Sequence, residues 1–165
     1  IIDNHTELLN SLILSNKASG KLYLPNSIVV VKDYNKLIFK LEEEDNKDYE
    51  ILIDKEVTLP NGKKIIKVSE EPLNTNFICR LDSSEVSLPL YVRNKKDGDK
   101  IYIKGLNGSK KIKDIFINEK ISIKERLNWP IVLDQKGNIV WLPGLKKSKY
   151  DKRKNEKYDI ILKYD

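Results

Sequence analysis

Leu8, Leu9, Leu12 and Ile13 recur at the spacing of one helix face, behind cap candidates at Asn4 and Thr6, and the pattern stops at Ala18, Ser19 and Gly20. An amphipathic helix is therefore predicted to open the chain. The pattern then breaks into short apolar stretches with strand character at residues 22–24, 28–32, 37–41, 49–53, 65–68 and 77–81. Turn-forming groups separate them: Pro25 and Asn26, residues 33–35, and Pro60, Asn61 and Gly62. The acidic stretch 42–45 falls between two of these strands and is expected to be a solvated loop tip.

A second unit is predicted to begin near residues 85–89, where a polar stretch gives way to Leu90, Tyr91, Val92 and Arg93. Residues 100–103 alternate like a strand behind the turn chemistry of Asp97, Gly98 and Asp99. From Ser109 the period lengthens. Ile112, Ile115 and Phe116 at i, i+3 and i+4 predict a helix with a buried stripe, with Ser109 as its cap and Lys110, Lys111 and Lys113 on its outer face. Residues 131–133 and 139–141 flank a turn at 135–138 and predict a hairpin, and residues 158–162 predict a last strand. The charge-dense stretch 146–157 is expected to be a mobile loop. The expectation is an α+β chain: a small helix-plus-sheet subdomain over residues 1–84, then a β-rich, sandwich-like domain with one or two short helices over residues 85–165.

Charge reinforces that division. Residues 1–90 carry 11 Lys and Arg against 15 Asp and Glu, whereas residues 91–165 carry 20 against 10. A basic C-terminal part is suited to a polyanion, with nucleic acid the commonest candidate. Lysine outnumbers arginine 27 to 4, however, and much of that lysine would solvate a surface in any protein of this composition. The chain of 165 residues contains no Met at all, position 1 included, so it is expected to be a fragment. One cysteine, Cys79, cannot pair within the chain and suits a reducing cytoplasm. No apolar run approaches the roughly 20 residues that span a bilayer, so a membrane is not an expected partner.

Candidate chemistry is sparse. With His5 the only histidine and Cys79 the only cysteine, a zinc site of Cys and His ligands cannot be assembled, and a Cys–His nucleophile would require those two residues to meet by chance. No Gly-rich phosphate loop occurs, and the isolated glycines at 98, 105, 108, 137 and 144 read as turn positions. Nothing in the chain makes a complete active site. What remains is a cationic surface: Lys104, Lys110, Lys111, Lys113 and Arg126 gather around a Gly-containing loop and a predicted helix N-terminus, a setting that favours phosphate oxygens. Trp129 and Trp141 could stack on bases, but both adjoin apolar strand residues and are expected to be core.

The run Val92, Arg93, Asn94, Lys95, Lys96, Asp97, Gly98, Asp99, Lys100, with Gly105 and then residues 110–120, resembles the C-terminal domain of bacterial tRNA(Ile)-lysidine synthetases. The likeness continues through Arg126, Pro130, Ile131, Val132 and residues 139–144. Less specifically, the opening helix, residues 20–26 and the hairpin at 33–37 resemble the family's middle substrate-recognition domain. Lys100 and Lys104 stand where the family often has arginine, which keeps the charge but loses the planar fork. The resemblance implies a cytoplasmic enzyme that adenylates the wobble cytidine of a CAU-anticodon isoleucine tRNA with ATP and Mg, then lets lysine displace AMP. It implies that catalysis belongs to an N-terminal domain with a Ser-Gly-Gly-x-Asp-Ser loop, a string this sequence does not contain. It further implies a fold like the β-rich sandwich shared with a domain of phenylalanyl-tRNA synthetase, which contacts the tRNA near its acceptor stem. On this reading Arg93 and Lys100 join Lys104, Lys110, Lys111, Lys113 and Arg126 as RNA-binding candidates, with no catalytic residue and no cofactor in this chain. The expected partners are tRNA and the catalytic domain, not DNA. A non-catalytic protein-interaction module, in which the acidic and basic halves bind partner proteins or each other, is the alternative.

Overall fold

The computed structural model describes residue 10 and residues 19–24, 28–41 and 47–165. The predicted opening helix, apart from helical Asn10, lies outside the described residues, as do His5 and the acidic stretch 42–45. Strands β1 (Ser19–Leu24), β2 (Ile28–Asp33) and β3 (Lys36–Leu41) form an antiparallel three-stranded meander. The β2–β3 turn is two residues long, with Tyr34 at φ 55°.

The remaining strands build two antiparallel sheets and a ribbon. One sheet has the order β13-β12-β11-β8-β4, from Lys146–Lys147, Ile139–Leu142, Ile131–Leu133, Tyr91–Arg93 and Glu50–Leu52. The other has the order β5-β6-β14-β7, from Glu56–Thr58, Lys64–Val68, Ile160–Tyr164 and Ile78–Leu81. Facing side chains from both sheets, among them Ile65, Cys79, Leu81, Val92, Val132, Trp141 and Leu162, make one core. On the far face of the five-stranded sheet lies a second core, where Ile131, Leu133, Ile139 and Leu142 meet Ile101, Ile112, Ile115 and Phe116. That layer consists of the ribbon β9 (Lys100–Ile101) and β10 (Lys110–Lys111) with helices α1 (Ile112–Asn118) and α2 (Ile123–Asn128). Alternation along β11 explains the arrangement: Val132 points into one core, Ile131 and Leu133 into the other. A strand covered on both faces must be apolar throughout, and β11 and β12 are buried at every position.

β12 carries a bulge, since Val132 pairs with Trp141 and Leu133 with Ile139. The carbonyl of Val140, which the bulge leaves out of the ladder, accepts the buried Ser148 hydroxyl at 2.6 Å. In the β11–β12 turn, Asp134 accepts the backbone N–H groups of Lys136 and Asn138, and Gly137 takes φ 84°. Asp134 also accepts the Ser87 N–H, which ties the hairpin to the segment before β8.

The β-rich, sandwich-like character and short helices match expectation, but several boundaries differ. The division expected at residues 84/85 does not separate the sheets. β4 pairs with β8, and β14 lies between β6 and β7, so strands on both sides of that point share both sheets and one core. Charge changes sign there because it is a surface property, whereas core membership follows strand pairing. Ser109 is not the cap of α1. The helix starts at Ile112 with Lys111 in the N-cap position and no side-chain cap, because Lys110 and Lys111 are held extended against Ile101 and Lys100. The stretch 146–157 is not a loose loop: it contains β13, the buried Ser148 and the buried Asp151. Strand β5 and helix α2 were not predicted. Both are short, although Ser122 and Glu125 form a capping pair in which the Ser122 hydroxyl accepts the Glu125 N–H.

Candidate nucleic-acid interface

The β9–β10 ribbon sorts its residues by face. Ile101 and Ile103 turn inward, while Lys100 and Tyr102 are exposed, Lys104 is partly buried with its ammonium on Asp151, and Lys111 is the register partner of Lys100. Past β9 the strand continues loosely against the β13 arm, with Ile103 bridged to Ser148 and the Lys149 N–H donating to the Tyr102 carbonyl at 2.8 Å. The Tyr102 ring, 43 % exposed, lies between two ammonium groups, Lys149 at 4.8 Å and Lys100 at 6.0 Å from its centroid. The result is an outward stripe of cations around an exposed ring, with Leu106 at the tip of the following loop 65 % exposed. Such a surface can meet phosphates through its lysines and a base or ribose through its ring.

Of the seven basic candidates, the structure places Lys100, Lys104, Lys110 and Lys111 on this ribbon and loop, Lys110 half-buried. Lys113 is exposed on α1 and lines a different hollow, shared with Lys95, Asp97 and Arg126. Arg93 is not on the surface. Its side chain is 9 % exposed and grips Asp99 through both guanidinium nitrogens at 2.8 and 3.0 Å, with a further bond to the Asn94 carbonyl. Burial works to raise the Asp99 carboxyl, but Arg93 and the Lys96 N–H outweigh it and hold the pKa below the usual carboxylate range. This pair closes the 94–99 turn beneath the ribbon, and the Asp99 carbonyl then accepts the Ile112 N–H, so α1 does not present that first-turn amide to a ligand. Arg126 is also engaged: its Nε donates to the Ile121 carbonyl at 2.7 Å and its Nη2 to the Tyr34 hydroxyl at 3.1 Å. Tyr34 in turn donates to the Ile117 carbonyl, and Asp33 accepts the Ile123 N–H, which seats the β2–β3 turn on the two helices.

Both tryptophans are structural, as expected. Trp141 is fully buried and donates to the Asn76 carbonyl, and Trp129 packs edge-on against Phe116 and donates to the Pro143 carbonyl. Cys79 is buried, and its burial pushes the thiol pKa well up, so it is inert.

Residues absent from the sequence-based set cluster at the end of the stripe. Asp151, fully buried, accepts the Arg80 N–H at 3.1 Å and the Lys104 ammonium at 2.6 Å, with the Lys147 ammonium at 4.0 Å. Lys147 also donates to Asn74 Oδ1 at 2.9 Å, and burial lowers its pKa. Lys104, Lys147, Arg153 and Lys154 thus converge on a cleft whose other wall is Asn74, Thr75 and Asn76. The charge density of 146–157 was the available signal, but it gave no hint that Asp151 would fold inward.

Residues 90–162 match the family described as the TilS substrate C-terminal domain. A solved structure titled "Crystal structure of TILS C-terminal domain" superposes with a TM-score of 0.66 at 40% identity, covering 72% of this chain and 96% of that one. The chain belongs to the TilS C-terminal domain family. Among TilS relatives, the tRNA(Ile)-lysidine synthases of Bacillus licheniformis and Bacillus subtilis are 36% and 42% identical over 98% and 88% of this chain. The bifunctional protein TilS/HprT of Listeria innocua is 36% identical over 98% of it. The chain spans only 26–36% of the length of these TilS proteins. Among its described residues no helix is long and apolar enough to cross a membrane.

Proposed function

We propose that this chain is the tRNA-binding C-terminal portion of a cytoplasmic tRNA(Ile)-lysidine synthase. It holds a CAU-anticodon isoleucine tRNA while a catalytic domain, using ATP and Mg, joins lysine to the wobble cytidine. The observation that carries this reading is the lysine stripe around the exposed Tyr102 ring, on a fold shared with the TilS C-terminal domain. RNA helices offer phosphates, 2′-hydroxyls and a shallow minor groove, so a domain that grips a stem reads shape and charge, and base identity at the anticodon is left to the catalytic part.

Each lysine–phosphate contact releases counterions, so affinity falls with salt by about 0.7–0.9 log units per contact per decade. Charge reversal of Lys110, Lys111 and Lys113 to Glu is expected to weaken tRNA binding by the full-length enzyme and to flatten its salt dependence. Filter binding across a salt titration measures both. Unchanged affinity and slope would remove these residues from the interface. Incubated with ATP, lysine and tRNA, the isolated chain is expected to form no lysidine.

A further inference from the structure

The cleft beside Asp151 differs from the rest of the basic surface in being built rather than merely charged. Four cationic side chains line it against one carboxylate, and that carboxylate is already bonded to the Arg80 N–H and to Lys104. Lys147 is held in the wall at 11% side-chain exposure by Asn74 and Asp151. Arg153 and Lys154 are exposed at the mouth with no ion pair among the described residues. The nearby Glu156 carboxylate accepts the Arg153 backbone N–H at 2.9 Å. The opposite wall is equally fixed: Arg80 donates to the Glu71 and Leu73 carbonyls, and the Asn76 carbonyl accepts both the Trp141 indole N–H and the Gly144 N–H. With Asn74 Oδ1 taken by Lys147 and Thr75 Oγ1 accepting the Phe77 N–H, the Asn74 amide and the Thr75 hydroxyl proton remain as donors.

We propose that this cleft is a phosphate seat for RNA, which Asp151 assembles by holding Lys104 and Lys147 in place. The inference rests on the RNA-binding reading above and deepens it by naming one discrete pocket within that surface. Four cations gathered in one open cleft against a single carboxylate repel one another, and an anion that enters relieves that repulsion. A phosphate group supplies several acceptor oxygens and no donor, matching a site made of ammonium, guanidinium, amide and hydroxyl donors. Lys104 belongs to both the outward stripe and the cleft, so a strand whose backbone follows the stripe arrives at the cleft directly. The phosphate can be a terminal monoester or an internal diester.

The test uses the 165-residue chain and a 3′-labelled RNA hairpin prepared with a 5′-phosphate or a 5′-hydroxyl, with binding followed by fluorescence anisotropy from low to moderate salt. The double variant Arg153→Glu, Lys154→Glu is expected to bind about tenfold more weakly and to lose about 1.5 units of salt slope, the loss for two contacts. Lys154→Gln alone, a single exposed change, should lose about two- to threefold. A loss confined to the phosphorylated hairpin assigns the seat to a terminal phosphate, and an equal loss on both assigns it to a diester. If both cleft variants bind like the parent while the Lys110, Lys111, Lys113 reversal is weakened, the seat is overturned and RNA binding stands. If the unmodified chain binds neither hairpin nor tRNA at low salt, both readings fall.

Discussion

At the scale of single residues, the decisive feature is which cations are already spoken for. Arg93 and Lys100 are separated by only seven positions, yet one is sealed against Asp99 and the other stands in solvent. A buried, bidentate pair is weak evidence for net stabilisation, but removing one partner leaves an uncompensated charge. Asp99→Asn is therefore expected to lower stability by about 3 kcal/mol, read from urea unfolding at neutral pH. The pH dependence follows in sign. Because the folded-state pKa of Asp99 is depressed, its stabilisation is complete above the ordinary carboxylate range and is lost as pH falls through the depressed value. Unfolding midpoints of the parent and of Asp99→Asn should thus converge toward acid pH. A gap that stays constant down to acid pH would show that ionised Asp99 is not what the variant removes.

At the scale of elements, α1 is a short helix made by packing, not by propensity. Seven residues are too few to be stable alone. Its stripe of Ile112, Ile115 and Phe116 is at most 1 % exposed and lies on β11 and β12. Its end is a Schellman motif, in which the Ile121 N–H bonds the Phe116 carbonyl and the Lys120 N–H the Ile117 carbonyl, with Lys120 itself at φ 54°. Phe116→Ala is expected to cost about 3–5 kcal/mol, while the exposed Lys113→Glu should leave the melting temperature nearly unchanged. Calorimetry on the two variants separates the core face from the solvent-facing side. The helix periodicity was fully legible. Its N-terminus was not, because a good N-cap residue at Ser109 is overridden when the next two residues pair with strand residues nine and eleven positions earlier.

At the scale of the whole molecule, the two sheets make residues on either side of the expected 84/85 boundary interdependent. A segment comprising residues 85–165 lacks β4, β5, β6 and β7, leaving β14 without either neighbour and Val92, Val132, Trp141 and Leu162 open on one face. It is expected to be insoluble or to unfold without cooperativity, whereas residues 47–165, which hold both sheets, should melt in a single transition. Circular dichroism melts of the two segments decide between them. A cooperative transition in the shorter one would restore the boundary read from charge. The β2–β3 turn, through Asp33, Tyr34 and Arg126, adds a polar contact to this unit and contributes no residue to its two cores.

Local patterning determined most of the longer strands, the α1 stripe, the β11–β12 hairpin, the turn glycines and the family resemblance, because each depends on residues close together in the chain. The sequence also supplied the positive charge of the last 75 residues. Tertiary structure alone decided which charges face water. Arg93 is consumed by Asp99, Arg126 by Tyr34 and Ile121, and Asp151 turns a charge-dense run into an ordered wall by bonding partners 71 and 47 positions away. Such pairings depend on strand order, and strand order is fixed by how two apolar faces close over one core, which no local window contains.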